Sequence, residues 1–366
     1  MSMPRVLMIM AGGTGGHIYP GLAVAAAMTA SGWRVVWLGT RHGMETRIVP
    51  QHGYETAWLT MGGVRGNGWL RKLLLPAMLM TACVQALNAL LRYRPDVVLG
   101  MGGYPSFPGG LMAGLMRKPL VIHEQNAMAG LSNRILACMA DRVAVGFPAA
   151  FTHAGDKPIL CGKVRSVWTG NPVRAEISAV RSDKTGRGGR LRILVVGGSL
   201  GAAALNRAVP QALSLIDEAG RPEVVHQAGA KHLEALRELY ARLEIKADVR
   251  PFIEDMAAVY EWCDIAITRA GALTIAELAA AGVPALLVPY PHAVDDHQTL
   301  NAAFLVECGA AKLIAQAELN AERLALVLRQ LDRTQLNDMA RRAKAAARPD
   351  ATSATVRLCM EMIDET

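Results

Sequence analysis

Short apolar runs and longer Ala- and Leu-rich stretches alternate along the whole chain, and most runs end in glycines or in a cluster of polar residues. In the first half Arg5–Met10, Trp33–Leu38, Asp96–Gly100 and Leu120–Ile122 have strand length. The segment from Cys161 to Arg174 reads as strand and turn, and Arg181–Arg190 as a polar, Gly-rich surface loop. The plan then restarts with Arg192–Val196, strand ends at Val224–Gly229 and Val249–Ile253, and runs at Asp264–Thr268 and Ala285–Pro289. Strands alternating with helical stretches predict parallel sheets, and two halves that open alike predict two Rossmann-like domains. Their expected bounds are 1–165 and 166–349, with a closing helical segment at 350–366.

The helices between these runs have readable ends. One begins near Tyr19-Pro20. Another opens at Leu273-Thr274 and stops at Gly282, with Pro284 just beyond. Leu73–Leu91 carries no charge and is long enough to span a bilayer. Thr81, Gln85, Asn88 and Arg92 nevertheless fall on one helical face, and Pro76 lies in the first turns. An amphipathic helix of a globular protein is the expectation.

Composition narrows the class. With 366 residues, 52% of them hydrophobic and 19% charged, the chain can bury the cores of two domains. Lys+Arg 39 against Asp+Glu 31 leaves a net charge of +8, which suits phosphate-bearing partners, an anionic bilayer surface or nucleic acid. Only 5% of residues are aromatic and no long basic run occurs, so nucleic acid is not expected as a partner. Cys83, Cys138, Cys161, Cys263, Cys308 and Cys359 form no C-x-x-C pair and no Cys/His cluster. They read as reduced thiols without a zinc site. The first apolar run is short and ends in glycines, so no signal peptide is expected.

The densest chemistry lies in Thr268–Asn301. A strand feeds Arg269-Ala270-Gly271, whose close approach leaves a helix N-terminus open to an anion. Glu277, one turn in, can accept both hydroxyls of a ribose, or it can close a capping box with Thr274. The next strand empties into His292, Asp295, Asp296, His297, Gln298 and Asn301. At the other end of the chain, Gly12–Gly16 is a glycine turn suited to phosphate. It is not the dinucleotide fingerprint, because Ile18 stands where the third glycine belongs and the second strand ends in Gly39-Thr40-Arg41 without an acid. No Gly-Lys-Ser/Thr follows, so it is no P-loop either. His17 sits where the helix begins, as a neutral general base or as a mere cap. Met101–Gly110 is a second glycine turn, His123–Asn126 a string of four polar side chains, and Gly197–Ala204 a third turn in which Ser199 can bond a phosphate. Trp69, Leu70, Arg71, Lys72 and Leu73 fit a surface that dips into an anionic leaflet, or a helix start whose leucines face the core. No Asp-x-Asp pair is present, so a metal on bound phosphates is not expected, nor is any cofactor.

GGTGGH (12–17), GGY (102–104), HEQN (123–126), GNPVR (170–174), GALT-x-x-E (271–277) and DDHQ-x-x-N (295–301), in that order, resemble the MurG family. These are UDP-N-acetylglucosamine transferases that complete the disaccharide of the peptidoglycan lipid precursor. The resemblance covers nearly the whole chain; Tyr104-Pro-Ser-Phe-Pro occupies a stretch in which family members vary. It implies an α/β fold of GT-B type, two Rossmann-like parallel-sheet domains facing across a cleft. It further implies an inverting transfer from UDP-N-acetylglucosamine to a polyprenyl-diphosphate-linked muramyl-pentapeptide. The enzyme would lie peripherally on the cytoplasmic face of the bacterial inner membrane, with other cell-wall synthesis proteins as further partners. His17 and Glu124 would supply base and supporting carboxylate. Thr14, Gly15, Gly16, Tyr104, Arg174, Ser199 and Gln298 would contact substrate, Asn126 the donor sugar and the backbone of Ile253 the uracil. Ala272, Leu273, Thr274, Ile275, Ala276 and Glu277 would complete the donor site. A UDP-sugar epimerase, a nicotinamide oxidoreductase and a non-catalytic donor-binding subunit are the competing readings.

Overall fold

A computed structural model describes residues 4–60, 69–152, 164–198 and 200–364, without the side chains of 69–73, Val294 and Asp364. It falls into two compact units, Met1–Arg174 with Arg348–Thr366, and Ala175–Ala347.

The first unit carries seven parallel strands: β1 Val6–Met10, β2 Arg34–Thr40, β3 Glu55–Leu59, β4 Val97–Gly100, β5 Leu120–Glu124, β6 Arg142–Val145 and β7 Ser166–Trp168. Their order across the sheet is β3-β2-β1-β4-β5-β6-β7. The helices are α1 Gly15–Ala30, α2 Glu45–Gln51, α3 Trp69–Tyr93, α4 Ser106–Leu115 and α5 Leu131–Leu136. Every residue of β1 is buried, because helices cover both faces and side chains alternate between them. Leu7 and Ile9 join Trp37, Leu99 and the apolar side of α1 on one face. Met8 and Met10 join Leu38, Val98, Leu90 and Leu136 on the other.

The second unit has six parallel strands, β8 Arg192–Val196, β9 Glu223–Gln227, β10 Asp248–Arg250, β11 Ile265–Thr268, β12 Ala285–Leu287 and β13 Ala311–Leu313. They are ordered β10-β9-β8-β11-β12-β13. Around them stand α6 Ala175–Ser178, α7 Ala203–Ser214, α8 Leu233–Arg242, α9 Met256–Trp262, α10 Ala272–Ala281, α11 His297–Glu307, α12 Ala321–Arg329 and α13 Arg333–Ala346. The last helix, α14 Ala351–Asp364, belongs to the first unit and packs on α1. In each sheet the strand order reverses once, between β1 and β4 and between β8 and β11. Ligands of open α/β sheets bind at such switch points, beyond the carboxyl ends of the strands.

Several expectations change. β5 runs on through His123 and Glu124, which are therefore buried strand residues and not loop. Residues 181–190 are anchored: Lys184 is 7% exposed and donates to the carbonyls of Tyr260 and Cys263. Arg187 donates to Trp262 O (2.7 Å) and Glu261 O (3.0 Å), so two cations close the C-terminal end of α9. On α3 the inward face is small, with Ala82, Cys83, Ala86, Ala89 and Leu90. Leu74, Met80, Val84 and Leu91 point outward beside Thr81, Asn88 and Arg92, so the outer face is not simply polar. By length and composition Leu74–Tyr93 could cross a membrane, with a hydropathy of 1.7. Cys83, Cys263, Cys308 and Cys359 are free thiols, but Cys138 is disulfide-bonded, which corrects the expectation of six reduced cysteines.

Candidate functional site

In the first unit, β1 ends at Met10 and α1 begins five residues later. Thr14 occupies the N-cap without a side-chain hydrogen bond, and no acid lies in the first turn. The amides of Gly15 and Gly16 therefore head an anion-ready helix N-terminus. The turn is pinned from behind by Glu45, a fully buried carboxylate at the start of α2. It accepts from Gly13 N (2.9 Å), Thr40 N (3.0 Å) and Thr40 Oγ1 (2.7 Å). The second glycine turn lies directly against the first. Gly103, at φ +80°, leaves no room for a Cβ because the carbonyl of Gly12 fills that space. Buried Ser106 joins them: its Oγ accepts from Gly102 N (2.9 Å) and lies 2.7 Å from Met10 O. Tyr104 is 37% exposed at the rim of this pair of turns. His17 projects from the first turn of α1, half-buried, and the guanidinium of Arg174 stacks on Tyr19 at 4.9 Å from the ring centroid.

At the end of β5 the four residues of HEQN divide their tasks. Glu124 Oε1 accepts from Asn126 N (2.9 Å) and Asn126 Nδ2 (3.2 Å), while Oε2 accepts from Gly130 N (3.1 Å) and Asn133 Nδ2 (2.8 Å). With four donors on it, this carboxylate acts as the clasp of the loop that presents Asn126. Gln125 Oε1 faces His17 Nδ1 at 3.0 Å. His123 is buried completely and its Nε2 lies 2.9 Å from Gly170 O. Burial lowers the His123 pKa to about 4, against a smaller opposing effect from that hydrogen bond.

In the second unit, β11 delivers Arg269-Ala270-Gly271 and α10 starts at Ala272. Gly271 is the N-cap and no side chain caps the helix, so the Thr274–Glu277 capping box is not made. Glu277 instead lies mid-helix, 6% exposed, and accepts from Tyr260 OH (3.2 Å). Ala272, Leu273 and Thr274 form the first turn, with Ile275 and Ala276 following. Gln298 Oε1 accepts from Ala270 N (3.2 Å) and Tyr290 N (2.9 Å), tying the entry of α10 to the loop after β12. That arrangement turns its Nε2 away as a donor. Asn301, fully buried, donates to Ala270 O (3.1 Å), and Arg269 donates to Val288 O (3.0 Å), Pro289 O (3.1 Å) and Gln316 Oε1 (2.6 Å). Gln227 bridges two more strand ends, donating to Gly198 O (2.8 Å) and accepting from Ile253 N (2.9 Å). The amide of Ile253 is thus engaged.

Ser199 and the side chains of Trp69, Leu70, Arg71, Lys72 and Leu73 lie outside the described residues. Among the described residues no group of three His, Cys, Asp or Glu side chains is placed to hold a metal ion. Glu45, His123, Gln125, Gln227 and Arg269 were not singled out as site residues from sequence. His123 and Gln125 lay inside the polar string at the end of β5, whereas Glu45 had no local signal at all.

Residues 7–145 match the glycosyltransferase family 28 N-terminal domain, and residues 192–357 match the family's C-terminal domain. A UDP-N-acetylglucosamine--N-acetylmuramyl-(pentapeptide) pyrophosphoryl-undecaprenol N-acetylglucosamine transferase of Thiobacillus denitrificans is 60% identical over 356 residues, 97% of each chain. The protein of the same description from Azoarcus sp. is 57% identical over 363 residues, 98% of this chain and 99% of the other. The crystal structure of Acinetobacter baumannii MurG superposes with a TM-score of 0.80 at 40% identity, covering 98% of this chain and 100% of that one. A UDP-N-acetylglucosamine 2-epimerase structure aligns with a TM-score of 0.64 over 96% of this chain and 94% of its own, but at 15% identity the likeness is one of fold alone.

Proposed function

The chain belongs to glycosyltransferase family 28, in its MurG branch, and on that premise we propose how its residues move N-acetylglucosamine from UDP-N-acetylglucosamine to undecaprenyl-diphosphate-linked muramyl-pentapeptide. The observation that carries the activity is the near full-length kinship, 60% identical across both units. The switch-point geometry supports the assignment of roles.

His17 takes the proton of the acceptor sugar hydroxyl as that oxygen attacks the anomeric carbon. The bond between that carbon and the diphosphate breaks on the opposite face, its electron pair stays on UDP, and the centre inverts. Asn126, held by the Glu124 clasp, contacts the donor sugar, and Thr14, Gly15, Gly16 and Tyr104 border the acceptor. In the second unit Glu277 takes the ribose hydroxyls and the Ile253 carbonyl accepts from uracil N3–H. Gln298 Nε2, Ser199 and the N-terminal turn of α10 stabilise the charge that grows on the diphosphate. A peripheral seat on the cytoplasmic face of the inner membrane follows from the lipid-linked acceptor and from the outward Leu74, Met80, Val84 and Leu91 of α3.

Labelled sugar supplied as UDP-N-acetylglucosamine with a short-chain muramyl-pentapeptide lipid tests the reading. Product is expected only when acceptor is present. Label that stays on the donor or epimerises would replace transfer by the fold-related chemistry, and His17→Ala with full turnover would remove His17 from the mechanism.

A further inference from the structure

A chain of hydrogen bonds inside the first unit leads from a backbone carbonyl to the ring of His17. Its direction can be followed one link at a time. Gly170 O lies 2.9 Å from His123 Nε2, and a carbonyl oxygen can only accept, so Nε2 carries the proton. His123 is fully buried and neutral, which leaves its Nδ1 with a bare lone pair. Gln125 Nε2 lies 3.2 Å from that Nδ1 and 3.2 Å from the carbonyl oxygen of His123. Both are acceptors, so the NH2 end of the amide must face them. The reversed amide would set its oxygen against two lone pairs in a site where Gln125 is 2% exposed. Oε1 therefore points at His17 Nδ1, 3.0 Å away, and an amide oxygen also only accepts. The proton between them belongs to His17 Nδ1.

We propose that Gln125 is a positioning residue for the transfer: held by His123 and by the carbonyl of Gly170, it fixes His17 in the Nδ1–H tautomer, so that Nε2 presents its lone pair to the acceptor hydroxyl. This deepens the reading of His17 as the base and rests on it for its catalytic meaning. The surroundings are built to keep the link closed. A methyl group on Gly102 would lie 2.6 Å from His17 Nδ1 and 3.2 Å from Gln125 Oε1, so only glycine leaves the pair its space. Asn171 Nδ2 donates to Gln125 O (3.0 Å) and Thr169 Oγ1 donates to Gly170 O (3.0 Å). The segment after β7 thus holds the end of β5 at two points, Asn171 on Gln125 O and Gly170 O on His123 Nε2. Proton transfer by a base needs the lone pair and the reacting hydrogen aligned, and a freely exchanging imidazole would offer the wrong nitrogen for part of the time.

The test is the tautomer itself. The full chain, labelled with ¹⁵N-histidine, is examined by long-range ¹H–¹⁵N correlation at the pH of the transfer assay, with His17→Asn to assign the ring. The expected spectrum has a protonated Nδ1 and a lone-pair Nε2. Gln125→Leu should shift His17 toward the Nε2–H form and lower kcat by about tenfold or more, with KM for UDP-N-acetylglucosamine unchanged. The remaining histidine signals report that each variant is folded. A wild-type His17 protonated at Nε2, or a Gln125→Leu enzyme with the wild-type tautomer, would overturn the proposal. Full turnover by His17→Ala would instead sink the base reading while leaving the measured tautomer standing.

Discussion

Glu45 places a carboxylate at 0% exposure with three donors converging on it, in a region that otherwise consists of glycines and strand ends. Glu45→Ala would strand Gly13 N–H and both Thr40 donors and open a void, a loss of about 3 kcal/mol in denaturant unfolding. Because Gly13 belongs to the first glycine turn, the same variant should raise KM for the acceptor more than for the donor; equal effects on both would argue that the turn does not border the acceptor. A second prediction concerns acid. His123 and His226 are held neutral by burial, with folded pKa values of about 4 and about 3 against 6.5 for the free side chain. Below pH 6.5 the unfolded chain binds protons that the folded one refuses, so stability falls as pH drops from 6.5 toward 4 and is regained above it. His123 alone accounts for about 3 kcal/mol of that fall. His123→Gln should flatten the curve, and a variant with the wild-type pH dependence would show that His123 is not kept neutral. At this scale the residues proposed to touch substrate were legible in sequence because they sit in motif strings. The residues that hold them were not, since Glu45 meets Gly13 and His123 meets Gly170 only after strands from distant parts of the chain lie side by side.

The element with the most unusual surface is α3. Its buried side is mostly alanine, which lets it lie close to α4, and its larger side chains are left outside: Met80 is 67% and Val84 50% exposed. Exposed apolar side chains along one helix, in a protein whose substrate carries a polyprenyl tail, support the proposal that α3 is the part of the first unit that meets lipid. Met80→Glu with Val84→Glu should weaken flotation with anionic vesicles by about tenfold while retaining transfer to a short-chain acceptor in solution. Unchanged flotation would move the membrane contact elsewhere. The hydrophobic pattern identified this helix, but its polar positions were a poor guide to which side faces out. Thr81, Asn88 and Arg92 are exposed as that pattern implies, and yet so are Leu74 and Leu91, because Ala82, Cys83, Ala86, Ala89 and Leu90 make up the inward face. The end of α10 was easier to see. Gly282 has φ +64°, and a left-handed residue after the last helical turn is a property of the local sequence.

Across the whole molecule the chain repeats one plan twice and then returns to its beginning. Strand order is a consequence of right-handed crossovers between parallel strands, so two runs of alternating strands and helices give two sheets that reverse at β1/β4 and at β8/β11. That much is encoded by local pattern. The return of α14 is not, because an amphipathic helix at the end of a chain can cover any apolar face of suitable size. Here Val356, Leu358, Cys359 and Met362 are buried with Leu22, Val24 and Met28 of α1, in the core of the first unit. Burying four such side chains is worth about 6 kcal/mol as an upper figure, comparable to the net stability of a whole domain. Ending the chain at Ala347 should therefore unfold the first unit at lower denaturant while the second unit, Ala175–Ala347, keeps its own transition and its affinity for UDP. The fluorescence of Trp37, buried in the first unit, and that of Trp262, in α9 of the second, can follow the two transitions separately in variants that retain one tryptophan at a time. A truncated chain whose Trp37 transition stays in place would mean that α14 covers the first unit without stabilising it, and that the seven-stranded sheet closes its core without help from the end of the chain.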